Sequence, residues 1–370
     1  MRWPKGATVH RLVTTTLLAL MMTGLTASPA LAHGRGTDAS NFLSTITDAP
    51  ELDFLRWEVV NAGEYLRVTN TGNEEIVVND YDGAPYLRIG PGGVDRNLNS
   101  QASYINEDRF GQTSVPDDID VGGQPEWEHI SDGSGYAWHD HRIHWMARAN
   151  PPGVMTQPDR AQLVNQWSVP FVYDGQEFAV TGDLEWIPGG SPFPWLIIAL
   201  VLTSLPVIYG LAASKPNTDT LRWRGLATPA AATLLVLALA NLVHLIDDVA
   251  ATPVPWAERA TSAVQTGFFI LIAVLSAVRA LQGRDGAFTA LGVGAGAVFI
   301  GQGLLYLSSL SASQTGSVFP GWVGRAVIAA SLVQIIPLGV AAVLGTRALL
   351  PDFERDDLGE TPDLRTHPQQ

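Results

Sequence analysis

Two hydrophobic patterns divide the chain. From Leu55 to Pro188, short apolar and β-branched runs alternate with turn residues. Beyond Phe193 the apolar runs lengthen to roughly 20 residues, the length of a helix that crosses a bilayer. The short runs predict strands over Arg56–Asn61, Tyr65–Asn70, Glu75–Asn79, Tyr86–Ile89, Trp127–Ser131, Ala137–Arg148, Gln162–Val172 and Glu177–Trp186. Between them lie Asn70-Thr71-Gly72-Asn73, Tyr81-Asp82-Gly83, Gly90-Pro91-Gly92-Gly93, Asp132-Gly133 and Asp174-Gly175, residue types that accept the positive φ of tight turns. This spacing predicts an all-β sandwich, cupredoxin-like or immunoglobulin-like. Residues 33–50 read as an irregular polar arm, and Ser100–Gly123, which lacks periodicity, as a long surface loop.

The long runs, at 193–213, 226–246, 262–281, 286–310 and 323–350, predict an all-α membrane domain of five transmembrane helices. Gly292-x-Gly294-x-Gly296 lies inside one of them and reads as close helix packing. Lys215, Arg222, Arg224, Arg279, Arg284, Arg347, Arg355 and Arg365 fall in segments on one side, and only Arg259 and Arg325 on the other. By the positive-inside rule the C-terminus is then cytoplasmic and the β domain extracellular.

The N-terminus agrees with that orientation. Arg2, Lys5 and Arg11 precede the apolar stretch Leu17–Leu25, and Ala30-Leu31-Ala32 is a small-x-small cleavage site. The predicted organisation is a signal peptide at 1–32, an extracellular β domain at 33–190, the membrane domain at 191–350 and a disordered cytoplasmic tail at 351–370. Cleavage after Ala32 leaves His33 as the first residue, with both an α-amine and an imidazole to offer.

Charge and cysteine content narrow the chemistry. The net charge is −14, and residues 33–190 alone hold 25 Asp and Glu against 9 Arg and no Lys. Such a domain attracts cations and repels nucleic acid. With no cysteine in the chain, thiolate zinc, blue-copper, iron–sulfur and c-type haem sites are excluded. No metalloprotease, nucleophile-elbow or phosphate-loop motif is present, so nothing marks a reaction.

Against that background stands Trp138-His139-Asp140-His141-Arg142-Ile143-His144-Trp145. On a strand, His139 and His141 share one face, and Asp140 and His144 have the other parity. Together with His33, the pair predicts a nitrogen-rich metal site. Such donors suit Cu(II) best among divalent first-row ions, with zinc as the lesser candidate. His144 and Asp140 stand as further ligands or as supports for the ligands. The non-metal reading of the same run is a hydrogen-bonded network in which Asp140 pairs with Arg142. His129 is isolated and reads as a surface or packing residue.

A second polar set lies near the outer end of the second span. Asn241, His244, Asp247 and Asp248 fall at helical spacing on roughly one face. Ionisable groups in a span are costly and point to function, whereas a polar network between helices is the plainer reading. Gln265, Gln302 and Gln334 come from other spans.

Two resemblances follow from these residues. Tyr81-Asp82-Gly83-Ala84-Pro85-Tyr86-Leu87-Arg88, the Trp138–Met146 run and Trp167-Ser168-Val169-Pro170 resemble segments of a group of actinobacterial multi-span membrane proteins, which implies an exported β domain ahead of several spans. Locally, His33 with His139 and His141 is similar to the copper site of the particulate methane monooxygenase B subunit and to CopC-type proteins. That resemblance implies copper ligation by those three residues. It does not extend to the rest of the chain, which has one β domain and five spans. The expected function is therefore copper capture, handling or uptake at the cell membrane. The alternatives are a non-metal envelope sensor or assembly module that binds another envelope protein, and a copper-dependent membrane oxidoreductase.

Overall fold

The computed structural model describes residues 39–213, 219–251, 253 and 256–349; the predicted signal peptide, His33 and the tail at 351–370 lie outside them. Ten strands precede the long helices. They are β1 (Phe42–Asp48), β2 (Leu55–Val60), β3 (Tyr65–Asn70), β4 (Ile76–Asn79), β5 (Pro85–Gly90), β6 (Gly93–Asn97), β7 (Trp127–Ser131), β8 (Gly135–Trp138), β9 (Gln162–Tyr173) and β10 (Gln176–Trp186). One antiparallel sheet has the order β1-β10-β9-β4-β5-β6-β7, and a second has the order β2-β3-β8. Leu66 and Val68 of β3 and Trp138 of β8 share a core with Ile76, Val78, Leu87, Ile89, Val169 and Phe171 of the larger sheet. Alternation along each strand supplies this core, because every second side chain faces inward.

The hairpins turn where the sequence predicts. Asp174 (φ 47°) and Gly175 (φ 69°) join β9 to β10, both in the left-handed region that a two-residue hairpin demands. Between β4 and β5, Asp80 Oδ1 accepts the N–H groups of Asp82 and Ala84. Two predictions need correction. The polar arm contains strand β1, which pairs with β10 in register Phe42↔Trp186. Its Phe42 and Ile46 pack on the core, so burial outweighs the polar character of the surrounding residues. The strand predicted over Ala137–Arg148 ends at Trp138, and the chain then turns away from the sheet. Within Ser100–Gly123 one short helix, α1 (Ala102–Ile105), forms.

Five helices are long and apolar enough to cross a membrane: Phe193–Ala213, Gly225–Ala250, Trp256–Leu281, Ala287–Leu304 and Gly321–Thr346. The second contains a break at Asn241, after which α2 (Leu242–Ala250) continues. Contacts divide the chain into two units. One runs through Pro192 and takes in Val243–Gly267 and Leu305–Ile328; the other comprises Phe193–Leu242, Phe268–Leu304 and the chain from Ala329.

In the second unit, small residues set the packing. A side chain on Gly294 would lie 2.6 Å from Leu234 and Ser276, so this glycine serves close helix approach, whereas one on Gly292 would make only an ordinary contact with Ala342 and one on Gly296 would meet open space. In the first unit, the residues just before β1 are tied to a later loop. Ser40 and Gln314 exchange backbone hydrogen bonds of 3.1 and 2.9 Å, and Asn41 Oδ1 accepts the N–H of Ser313 at 2.8 Å.

Phe171 is fully buried between the two sheets. Phe171→Ala is expected to destabilise the β domain by about 3–5 kcal/mol, the usual cost of a large cavity. Denaturant unfolding followed by tryptophan fluorescence checks this; a loss under ~1 kcal/mol would mean that the sheets do not depend on this core.

Candidate functional site

The chain leaves β8 because Asp140 reorganises the backbone beyond it. Its Oδ1 accepts the N–H (3.1 Å) and Nε–H (2.7 Å) of Arg142. Its Oδ2 accepts Nη2–H of Arg142 at 2.6 Å and the indole N–H of Trp138 at 2.9 Å. Burial opposes ionisation of this fully buried carboxyl, but the hydrogen bonds and charge of Arg142 outweigh it and hold the group below the usual carboxylate range. Arg142 reaches on to the carbonyls of Asn79 and Asp80, each at 3.3 Å, and lies over the Tyr81 ring at 4.9 Å. The register of β4 with β5 shifts at Asn79, which is where that contact falls. The turn is thereby fixed to the β4–β5 hairpin, and Ile143, fully buried, seals it into the core.

This turn gathers three histidines. The rings of His141 and His144 have centroids 5.4 Å apart, and those of His139 and His144 are 6.1 Å apart. The strand parity that separates His144 from His139 and His141 does not apply, because none of the three lies on a strand. His139 Nδ1 sits 3.0 Å from the carbonyl of Glu64, and His141 Nε2 sits 3.0 Å from the carbonyl of Asp108. A carbonyl can only accept, so those nitrogens carry the protons. The lone pairs then lie on His139 Nε2 and His141 Nδ1.

His144 differs from its neighbours. It is 6% exposed, and neither ring nitrogen meets a hydrogen-bond partner among the described residues. Burial, then the neighbouring His141, His139 and Arg109, push its pKa down to about 3. Burial also lowers the pKa of His141. Both are therefore neutral at physiological pH.

Residues distant in sequence complete the surroundings. The Glu64 carboxylate, almost fully buried, pairs with Arg109 at 2.8 Å, and the Tyr65 ring lies 4.0 Å from that of His139. The Tyr81 hydroxyl accepts the backbone N–H of His141 at 3.1 Å and donates to Asn106 Oδ1 at 2.6 Å. The Asp108 carboxylate accepts the N–H groups of Phe110, Gln112 and Thr113, which shapes the loop that presents the Asp108 carbonyl. In that loop Gly111 has φ +62°, and a side chain there would come within 2.9 Å of His141 Cε1 and 3.3 Å of Nδ1. Glycine keeps the lone-pair edge of His141 uncovered. None of these partners has a spacing signal in the sequence. An open cleft of about 940 Å³, lined among others by Tyr65, Arg67, Tyr86, Tyr136 and Trp138, reaches His139.

Among the described residues, no three His, Cys, Asp or Glu side chains converge as a closed ligand set for a metal ion. Asp140 is engaged by Arg142 and Trp138. His129 stands apart on β7, exposed, between Asp95 Oδ1 (2.9 Å) and Asp132 Oδ1 (3.0 Å), and those bonds raise its pKa.

The membrane set also divides. Asn241 donates to the carbonyl of Leu237 and to Ser331 Oγ within the second unit. His244, Asp247 and Asp248 belong to the first unit, where His244 stacks on Tyr306 at 4.2 Å. No protein-family model, curated protein or solved structure matches the chain. The architecture is thus an antiparallel two-sheet β domain followed by helices suited to a multi-pass membrane protein.

Two outcomes follow for the histidine turn. Asp140→Asn leaves the Arg142 charge buried without its partner, and is expected to cost about 3–5 kcal/mol in a denaturant melt. His144 is harder to protonate folded than unfolded, so the unfolded chain binds more protons between pH 6.5 and about 3. Its contribution to stability is complete above pH 6.5 and declines as the pH falls through that window, at up to ~1.4 kcal/mol per pH unit. Comparing the pH dependence of unfolding in the wild type and His144→Phe checks this; parallel profiles would refute it.

Proposed function

We propose that this is a cell-envelope membrane protein that binds a transition-metal ion, Cu(II) foremost, on an exported β domain. His144 supplies the central ligand, with His139 and His141 beside it and His33 as an additional donor once the signal peptide is removed. The reading is carried by one observation: His144 holds two bare, buried nitrogens between two imidazoles whose other N–H groups are tied to carbonyls. That anchoring of the far nitrogen is the usual support of a ligating histidine, since it fixes both tautomer and ring orientation.

The centroid spacing of His144 from each neighbour supports a shared ion, toward which the rings would have to turn. With metal–nitrogen bonds of ~2.0–2.1 Å, two imidazoles on one ion at a tetrahedral or wider angle have centroids about 5–6 Å apart. The observed separations are 5.4 and 6.1 Å. Neutral nitrogens at physiological pH need lose no proton to bind, and the acidic domain attracts the cation. Nitrogen donors without thiolate favour copper over other divalent first-row ions. The cleft that reaches His139 is the observation that favours an oxidoreductase reading, in which a substrate would lie beside the ion.

Titration of the purified mature protein with Cu(II), followed by calorimetry and electron paramagnetic resonance, tests the proposal. The wild type is expected to bind one ion with nitrogen hyperfine structure. His144→Ala is expected to weaken binding by at least about tenfold, with similar losses for His139→Ala and His141→Ala. Equal affinity in the wild type and all three variants would sink it.

A further inference from the structure

The first unit also holds a buried acidic pair that the copper reading does not use. Asp247 and Asp248 are adjacent on α2, inside the second candidate span, and each is 6% exposed. Asp247 accepts two hydrogen bonds, from the Ser317 hydroxyl at 2.8 Å and the Val318 N–H at 2.9 Å. Asp248 accepts from Thr266 of the third span, and the Tyr306 hydroxyl also interacts with it. Thr266 Oγ1 lies 3.2 Å from the Tyr306 hydroxyl, and the Tyr306 ring stacks on His244, with the two planes 9° apart. His244, one turn before Asp248, is 4% exposed, and its Nε2 has no partner among the described residues.

The charges do not balance. No lysine or arginine pairs with Asp247 or Asp248 among the described residues. Arg259, near the start of the third span, donates to the carbonyl of Val249. Two neighbouring ionised carboxylates in a dry, low-dielectric environment repel each other and lack solvation. Such a pair binds a positive charge. Around Asp248 the partners are the hydroxyls of Thr266 and Tyr306, groups that both donate and accept and so can pass a proton.

We propose that this cluster is a proton-binding site of the membrane-spanning part, with the proton held on Asp248 and exchanged through Thr266 and Tyr306. Asp248 is the holder because the Val318 N–H at Asp247 can only donate and so favours an ionised Asp247, whereas the hydroxyl of Thr266 beside Asp248 can also accept a proton from it. When Asp248 is ionised, Thr266 donates to it and Tyr306 donates to Thr266. When it is protonated, the same chain reverses, with Asp248 donating to Thr266 and Thr266 to Tyr306. The exchange moves one proton and forms no covalent bond between heavy atoms. His244 stacks face to face on Tyr306, and its Nε2 makes no hydrogen bond to that hydroxyl among the described residues.

Infrared spectroscopy of the full chain in lipid nanodiscs tests this, because a protonated buried carboxyl has a carbonyl stretch separate from those of ionised groups. At pH 7 the wild type is expected to show that band. Asp248→Asn should abolish it, and Thr266→Val, which keeps the side-chain shape, should shift it. His144→Ala should leave it unchanged, so that failure of the copper reading and failure of this one are distinguished. Absence of the band in the folded wild type overturns the proposal. So does a band indifferent to both Asp248→Asn and Thr266→Val, or carboxylates that remain ionised and respond to added metal ions instead.

Discussion

The histidine turn depends on a single buried ion pair. Asp140 offers two oxygens, and Arg142, two residues on, closes on both while its backbone N–H takes a third bond. A buried carboxylate and guanidinium would each be costly alone, and the forked geometry satisfies both at once. Because Arg142 also grips the carbonyls of Asn79 and Asp80, the pair anchors residues 139–144 to a hairpin of the larger sheet. The positions of His139, His141 and His144 are consequences of that anchorage. So is the stacking of Arg142 on Tyr81, whose hydroxyl in turn takes the N–H of His141.

This explains why part of the fold was legible in the sequence and part was not. The β9–β10 hairpin followed from Asp174-Gly175 because a positive φ at both positions is a local demand that few residue types meet. The five apolar runs followed from length alone. The histidine run misled because period-two reasoning assumes that a strand continues, whereas Asp140 hydrogen-bonds the chain ahead of it and ends the strand at Trp138. The possible Asp140–Arg142 pairing was visible as a charge pattern, but not its power to redirect the backbone. Strand β1 was hidden for a different reason: its stability comes from the non-local partner β10, which local composition does not reveal. The supports of the histidines, Glu64, Asp108 and Tyr81, lie 33 to 75 residues away from them, beyond the reach of any spacing rule.

The chain buries acid in two ways. In the β domain Asp140 receives a guanidinium and an indole N–H, and Glu64 receives Arg109, so each negative charge is neutralised by side chains. In the spans Asp247 and Asp248 receive hydroxyls and one backbone N–H, which solvate charge without cancelling it. The first arrangement produces rigidity. Asp80 of the β domain is also buried among a hydroxyl and backbone N–H groups, but it has Arg142 near it; the second arrangement has no such cation among the described residues and leaves a demand for positive charge.

The histidines make the same point with the opposite sign. His129 lies exposed between two carboxylates, which stabilise its protonated form. His144 is buried, so a proton there would be unsolvated, and charge on His141, His139 or Arg109 adds repulsion. A proton is thus disfavoured at a side chain whose two ring nitrogens both lack partners among the described residues. A metal ion differs from a proton in this respect, because it accepts several imidazoles at once and so turns their mutual proximity from repulsion into coordination. The burial that disfavours a proton at His144 is therefore also the physical basis of the proposed metal site.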